Sequence, residues 1–149
     1  MESSSASPSL LRVVLDTNVL VSGLLYGGLP KRVLRLALEG RFVAVTSRAL
    51  QAELLRIFVR KFGLSQSEAA EAMASIRESF AWARPRTVLN LCRDAADNRV
   101  LECAVYGRAE VIVTGDRDLL SMRPLEGLEI RRRGNFLIAW MASWSDRRK

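Results

Sequence analysis

The hydrophobic pattern of the chain alternates between short apolar runs and longer stretches with helical spacing. Three of the short runs are rich in β-branched residues and are typical of buried parallel strands: Val13–Leu15, Phe42–Val45 and Val111–Val113. Gly127–Arg131 predicts a last strand, and Phe80–Leu91 predicts an edge strand that Pro85 interrupts. The pattern therefore predicts a chain in which strands and helices alternate.

Between these runs, apolar residues recur three and four positions apart, which predicts helices. Turn and capping residues mark several of their starts. Pro30 suits a first helical position, Thr46 and Ser47 offer N-cap oxygens, and Ser65 with Glu68 forms a capping box. We therefore predict an α/β protein with three layers, α/β/α, around a central parallel sheet of about five strands.

Two predicted strands and two predicted helices deliver carboxylates to one edge of this sheet. Asp16 and Asp116 directly follow strands, while Glu53 and Asp97 lie near the start of helices, on their apolar stripes. Because the carboxyl ends of parallel strands share one edge, all four are expected to face one crevice. The structural alternatives are a turn cap for Asp16, a favourable contact with the helix dipole for Asp97, and for Glu53 an ion pair with Arg56 or with an arginine from elsewhere.

Residue composition narrows the chemistry available to such a site. The 149 residues include no histidine and only two cysteines, Cys92 and Cys103. This excludes Ser-His-Asp catalysis and a four-ligand cysteine or histidine zinc site. We expect Cys103 to be a small core residue. Any chemistry must therefore use carboxylates, hydroxyls and cations.

The charge balance points to an acidic partner. The net charge is +7 with a pI near 10.4, and arginines supply 20 of the 23 cations because only Lys31, Lys61 and Lys149 are lysines. The planar guanidinium matches phosphate geometry, so nucleic acid is the favoured partner. Arginine-rich usage that merely follows genome composition is the alternative.

The organisation of the chain is that of one domain. We predict a disordered Ser-rich tail at 1–10, the domain at 11–145 and a basic tail at 146–149. The first residues lack the pattern of a secretory signal, and no apolar run reaches the length of a membrane span. We expect a cytoplasmic protein with no membrane association.

Four carboxylates at one edge require compensation, because like charges this close do not all ionise unaided. The natural compensation is a hard divalent cation, Mg²⁺ or Mn²⁺, as one or two ions, since both prefer oxygen ligands. Such an ion promotes the ionisation of water for attack on phosphorus.

At these positions the sequence resembles the PIN-domain family of metal-dependent ribonucleases, and within it the bacterial VapC-like toxins of toxin–antitoxin pairs. The similarity is strongest in four segments: Val14–Leu20, Thr46–Leu55, Asp94–Ala104 and Val113–Leu120. It implies an acidic pocket in which Asp16, Glu53, Asp97 and Asp116 are catalytic and bind metal. It also implies Asp118 as a further metal ligand, and substrate contacts by Thr17, Asn18 and Thr114.

The resemblance further implies an RNA substrate, an antitoxin partner and a homodimer or higher oligomer, for which the Trp140 and Trp144 face is a candidate surface. One segment departs from the group. It reads Asp94-Ala95-Ala96-Asp97-Asn98, without the usual proline and with less acidic character. We expect this loss of negative charge to weaken metal binding.

Two other function classes compete with the nuclease hypothesis. One is a catalytically weak RNA-binding or regulatory protein that keeps the fold. The other is an aspartyl-phosphate phosphotransferase, which usually needs a second Asp two residues after the nucleophile and a partner lysine. Position 18 is Asn, and lysines are scarce, so this class ranks well below the others.

Overall fold

The computed structural model describes residues 10–122, 125 and 127–148, with side chains of the last helix described as far as Ala142. A five-stranded, all-parallel sheet lies at its centre, in the order β3-β2-β1-β4-β5. The strands are β1 Arg12–Leu15, β2 Val43–Thr46, β3 Ala81–Trp82, β4 Val111–Val113 and β5 Glu129–Arg131. The predicted parallel sheet is confirmed.

Seven helices accompany the sheet in the described part of the chain. They are α1 Thr17–Leu25, α2 Leu29–Leu38, α3 Arg48–Arg60, α4 Gln66–Ser79, α5 Ala95–Tyr106, α6 Arg117–Ser121 and α7 Arg133–Arg148. The capping box forms as predicted: Ser65 N–H donates to Glu68 Oε1 at 2.8 Å, and Glu68 N–H donates to Ser65 Oγ at 3.0 Å. These hydrogen bonds hold the pKa of the Glu68 carboxyl below its usual value.

Hydrophobic side chains pack against both faces of the sheet, because successive strand residues point to opposite faces. Val13 and Leu15 belong to one core cluster, which includes Phe58 of α3 and Phe136 of α7. Val14 points the other way, into a second cluster with residues of α5 and α6. The molecule therefore has the three predicted layers. Cys103 is fully buried in the second cluster, as expected of a core residue.

The edge of the sheet beyond β2 differs in detail from the prediction. Strand β3 has two residues, Ala81 and Trp82, and Val88–Leu89 is not part of the strand. Pro85 offers no N–H for strand pairing, and the Leu89 N–H donates instead to a buried carboxylate, Glu102, at 2.7 Å.

Two other features concern the ends of the chain. The predicted N-terminal tail lies outside the described residues, apart from its last residue, Leu10. The domain limits at 11–145 stay a prediction, while α7 continues to Arg148.

Among the residues with a described placement, none of the helices has both the length and the apolar character that crossing a bilayer requires.

Candidate active site

The strand order reverses direction between β1 and β4, and ligands of open parallel sheets bind at such a reversal. Here the carboxyl ends of the two strands are tied together, because the Asp16 N–H donates to the Val113 carbonyl at 2.9 Å. Asp16 follows β1 and Asp116 lies three residues after β4. The fold therefore brings these two carboxylates to the same crevice, as their positions in the sequence predicted.

Asp16 is held rigidly at this point and is only 7% exposed. Its Oδ1 accepts a hydrogen bond from Thr17 N–H at 2.7 Å, which caps α1, and its Oδ2 accepts one from the Thr114 hydroxyl at 2.6 Å. Burial raises the pKa of Asp16, and the charges of Glu53 and Asp116 add to this, while the two hydrogen bonds oppose it. Asp16 is thus a helix cap and a member of an acidic cluster at once.

Three further carboxylates form a compact group, since Asp97, Asp116 and Asp118 each place an oxygen within 4.8 Å of the others. Asp116 caps the short helix α6, accepting from Asp118 N–H at 2.8 Å and from Leu119 N–H at 3.2 Å. Its own N–H donates to the Thr114 hydroxyl at 2.9 Å. The Thr114 hydroxyl therefore links Asp16 to Asp116 and fixes their relative position.

Asp97 is the most deeply buried of these three carboxylates. It is 4% exposed, and its Oδ2 is buried without a hydrogen-bond partner. Burial, together with the charges of Asp116, Asp94, Asp16 and Asp118, raises its pKa to about 6. A buried, unpartnered carboxylate oxygen beside two other carboxylates is the environment that a hard divalent cation stabilises, so these residues fit Mg²⁺ or Mn²⁺.

Glu53 lies beside this group and is connected to it through Asp16. It is half-buried on α3, and its Oε1 accepts a hydrogen bond from the Thr17 hydroxyl at 2.9 Å. Thr17 and Thr114 are both buried and hold carboxylates, whereas Asn18 is exposed at the start of α1. Direct substrate contact by these three residues stays a prediction.

Arginines stand at the rim of the acidic cluster. Arg93 lines a small cavity of about 240 Å³ together with Asp118 and Cys92. The guanidinium of Arg133 lies beside Gly115, where an added Cβ would sit 3.4 Å from its Nη1. Cations that flank a carboxylate pocket are suited to hold the phosphates on either side of a bond at the pocket.

A family model described as a PIN domain matches residues 12–118, a range that contains every carboxylate of the site. The chain belongs to the PIN-domain family. PIN domains are generally metal-dependent nucleases, and the acidic cluster of this one lies where the strand order reverses.

Known proteins similar to this PIN domain include one sequence relative and two VapC-related structures. MJ1680, an uncharacterized protein of Methanocaldococcus jannaschii, is 32% identical over 118 residues, covering 76% of each chain. VapBC2 from Rickettsia felis, solved with a DNA fragment from its promoter, aligns with TM-score 0.59 at 12% identity, over 82% of this chain and 98% of that one. VapC20 of Mycobacterium tuberculosis, a sarcin-ricin loop cleaving toxin, aligns with TM-score 0.50 at 16% identity, over 76% and 98%. These structures show the shared fold.

Two polar residues that position the site were not identified in the sequence. Asn98 is buried and ties down the loop before α5: its Oδ1 accepts from the N–H groups of Leu91 and Cys92, and its Nδ2 donates to the Cys92 carbonyl. Glu102 anchors the same loop through Leu89. The available signal was that Asn98 and Glu102 lie four residues apart on one face of α5, beside the apolar Leu101.

The raised pKa of Asp97 predicts how metal-free protein responds to pH. The folded protein binds this proton more tightly than the unfolded chain, where the pKa is 3.8. The contribution of Asp97 to the free energy of unfolding is therefore most favourable below pH 4. It falls as the pH rises through 6, by up to about 3 kcal/mol. In chelator, Asp97→Asn should become increasingly more stable than wild type across pH 4.5–7.5, measured by chemical unfolding. A stability difference that stays constant with pH would contradict the assigned shift.

Proposed function

We propose that this protein is an endoribonuclease that hydrolyses RNA phosphodiester bonds with Mg²⁺ or Mn²⁺, and that it is the toxin of a type II toxin–antitoxin pair. The observation that carries the proposal is the convergence of carboxylates at the β1–β4 reversal, with the Asp97 oxygen buried and unpartnered. The sarcin-ricin loop cleavage named for VapC20 and the VapBC2 assembly support RNA and an antitoxin as partners.

In the proposed mechanism the carboxylates have different roles in binding the ion and orienting the attacking water. Asp97, Asp116 and Asp118, whose oxygens lie together, would hold the ion, with Asp16 completing the acidic pocket behind them. When bound, the ion supplies Lewis acidity, which promotes the ionisation of an attacking water and stabilises charge on the phosphate. Glu53 is half-buried and fixed by Thr17, so it is the group best placed to orient that water in a chain without histidine.

RNA must reach a pocket that carries several negative charges. The net charge of +7 and the rim residues Arg93 and Arg133 draw the phosphate backbone toward the site, and the bound ion removes the local repulsion. We place the protein in the cytoplasm, where transcripts and an antitoxin would meet it, and we propose a homodimer or higher oligomer.

The test is cleavage of a mixed RNA pool with Mg²⁺, with Mn²⁺ and with chelator. We expect cleavage with either ion, none in chelator, and recovery when the ion is restored. Because water rather than the ribose hydroxyl attacks, one product end should carry a phosphate monoester and no 2′,3′-cyclic phosphate should form. Cleavage that persists in chelator, or cyclic ends, would contradict the proposed mechanism.

One observation favours a second candidate, a catalytically weak RNA-binding or regulatory protein. In the departing segment, Asp94 is exposed and its side chain accepts from Ala96 N–H at 2.9 Å, capping α5 outside the three-carboxylate group. The alanines that follow add no charge. RNA binding without cleavage under either ion, in folded protein, would favour this candidate.

A further inference from the structure

A second cavity opens at the same edge of the sheet, on the β3 side and outside the acidic cluster. Its volume is about 740 Å³. The start of α3, the segment after β3 and the second turn of α5 form its walls, and its lining residues are Ser47, Arg48, Ala49, Trp82, Ala83, Arg84, Pro85, Arg99 and Glu102. Three arginines and one glutamate line it, so its charge is opposite to that of the neighbouring site.

The single carboxylate does not neutralise this cavity. Glu102 is 5% exposed, accepts the Leu89 N–H, and forms an ion pair with Arg99 at 2.9 Å. Arg99 also donates to the Leu89 carbonyl at 3.4 Å. Glu102 and Arg99 therefore form one wall of the cavity and neutralise each other's charge. Arg48 and Arg84 are exposed, and no carboxylate among the described residues pairs with either.

Helix α3 adds to the positive potential of the cavity. Ser47 caps this thirteen-residue helix by accepting from Leu50 N–H at 3.3 Å. The N–H groups of Arg48 and Ala49 have no acceptor within the helix, because they belong to its first turn. Both residues line the cavity, so the helix presents its positive end there alongside the two unpaired guanidinium groups.

Trp82 gives the cavity an aromatic surface. Its side chain is fixed by two contacts with Arg77: the indole N–H donates to the Arg77 carbonyl at 3.2 Å, and the guanidinium carbon lies 5.9 Å from the ring centroid. The residue is nevertheless 39% exposed. An ordered aromatic ring beside uncompensated cations is the combination with which proteins bind single-stranded nucleic acid, stacking a base while the cations hold phosphate.

The position of the cavity relates it to the acidic cluster. Ala49 of the cavity lies one turn before Glu53 on the same side of α3, a separation of about 6 Å along the helix axis. We propose that this cavity is the subsite for the RNA strand beside the scissile bond, with Arg48 and Arg84 on a backbone phosphate and Trp82 against a base. This inference rests on the proposed function for its choice of RNA.

The test measures binding of a labelled single-stranded RNA of mixed sequence, by fluorescence anisotropy in chelator. We expect Arg48→Ala/Arg84→Ala to weaken binding about tenfold or more at 0.1 M salt. The slope of log K against log salt should fall by about 0.7, because both arginines hold one phosphate and each neutralised phosphate on a single strand contributes about 0.7.

The matched control is Arg60→Ala/Arg108→Ala, which removes the same charge. Arg60 and Arg108 are exposed, Arg60 at the other end of α3, about 18 Å from Arg48 along the axis, and Arg108 beyond the far end of α5. We expect its affinity to stay within twofold of wild type. Equal losses in both double variants would overturn the subsite, because they would report net charge alone.

Trp82 provides a second readout that does not depend on charge. Trp82→Ala should weaken binding fivefold or more, whereas Trp82→Phe keeps an aromatic face and should retain most of the affinity. Unchanged RNA affinity in Arg48→Ala/Arg84→Ala and in Trp82→Ala would overturn the proposal and direct attention to an acidic protein as the occupant. Since no ion or cleavage is involved, these results are independent of whether the protein is a nuclease.

Discussion

Asp16→Asn should reduce RNA cleavage by at least about a thousandfold. The substitution removes one negative charge from the pocket while keeping the size of the side chain. Loss of this carboxylate charge from the acidic pocket is expected to raise the barrier by about 4 kcal/mol, which corresponds to that factor. RNA binding in chelator should be unchanged or stronger, because the variant repels phosphate less. The measurement is single-turnover cleavage with saturating ion, beside RNA binding without it.

This substitution should leave the fold intact. An asparagine oxygen can still accept the Thr17 N–H, and the Thr114 hydroxyl can accept from the new amide. Since burial raises the pKa of Asp16, a neutral side chain there should keep or increase the thermal stability of metal-free protein. Asp94→Asn is the matched control, because asparagine also caps helices well and Asp94 is exposed. Wild-type cleavage by Asp16→Asn, or an equal loss in the control, would contradict the assigned role.

Thr114→Val should reduce cleavage about 10- to 100-fold without altering any carboxylate. Thr114 is fully buried, and its hydroxyl donates to Asp16 Oδ2 and accepts from Asp116 N–H. Valine fills the same space but leaves both groups without this partner, and residues that orient metal ligands typically matter by this factor. The ion concentration for half-maximal cleavage should rise, and saturating ion should recover part of the rate.

Thr114→Ser distinguishes the effect of the hydroxyl from the effect of side-chain shape. Serine keeps the oxygen that links the two aspartates, so its cleavage rate and ion requirement should stay close to those of wild type. If valine and serine at position 114 behave alike, the hydroxyl does not position the carboxylates and the link between Asp16 and Asp116 has no catalytic importance.

The fold and the identity of the acidic edge could be predicted because both follow from local patterns. Apolar β-branched runs predict buried strands, and a carboxylate immediately after such a run must lie at the carboxyl end of the sheet. Asp16 satisfies this rule directly and Asp116 follows its run after two residues, while the helical spacing of Asp97 placed it on the side of α5 that is buried. The three-layer arrangement followed from the alternation of elements.

The finer arrangement depends on tertiary contacts that spacing does not encode. Asp118 groups with Asp97 and Asp116, while Glu53 reaches the site through Thr17 and Asp16. Thr114 was expected near substrate, and the structure places its hydroxyl between the Asp16 carboxylate and the Asp116 backbone N–H. These relations arise from how β1 and β4 meet, 98 residues apart along the chain for the Thr114–Asp16 bond.

The short edge strand β3 is a second case in which a tertiary contact, rather than local sequence, decides the structure. The apolar residues Val88 and Leu89 favour a strand, but Glu102 of α5 takes the Leu89 N–H and Pro85 offers none. A buried carboxylate on a distant helix thus decides the path of this loop, and the loop in turn bounds the arginine-lined cavity. Local propensity gives no indication of a partner thirteen residues away.

Direct binding of Mn²⁺ is the measurement that tests the central claim most directly. Calorimetric or paramagnetic titration at pH 7.5, without RNA, should detect binding to wild type and at least tenfold weaker binding to Asp97→Asn and Asp116→Asn, with Asp94→Asn close to wild type. Equal Mn²⁺ affinity in all four proteins, or no binding by folded wild type, would contradict a metal centre built from these carboxylates.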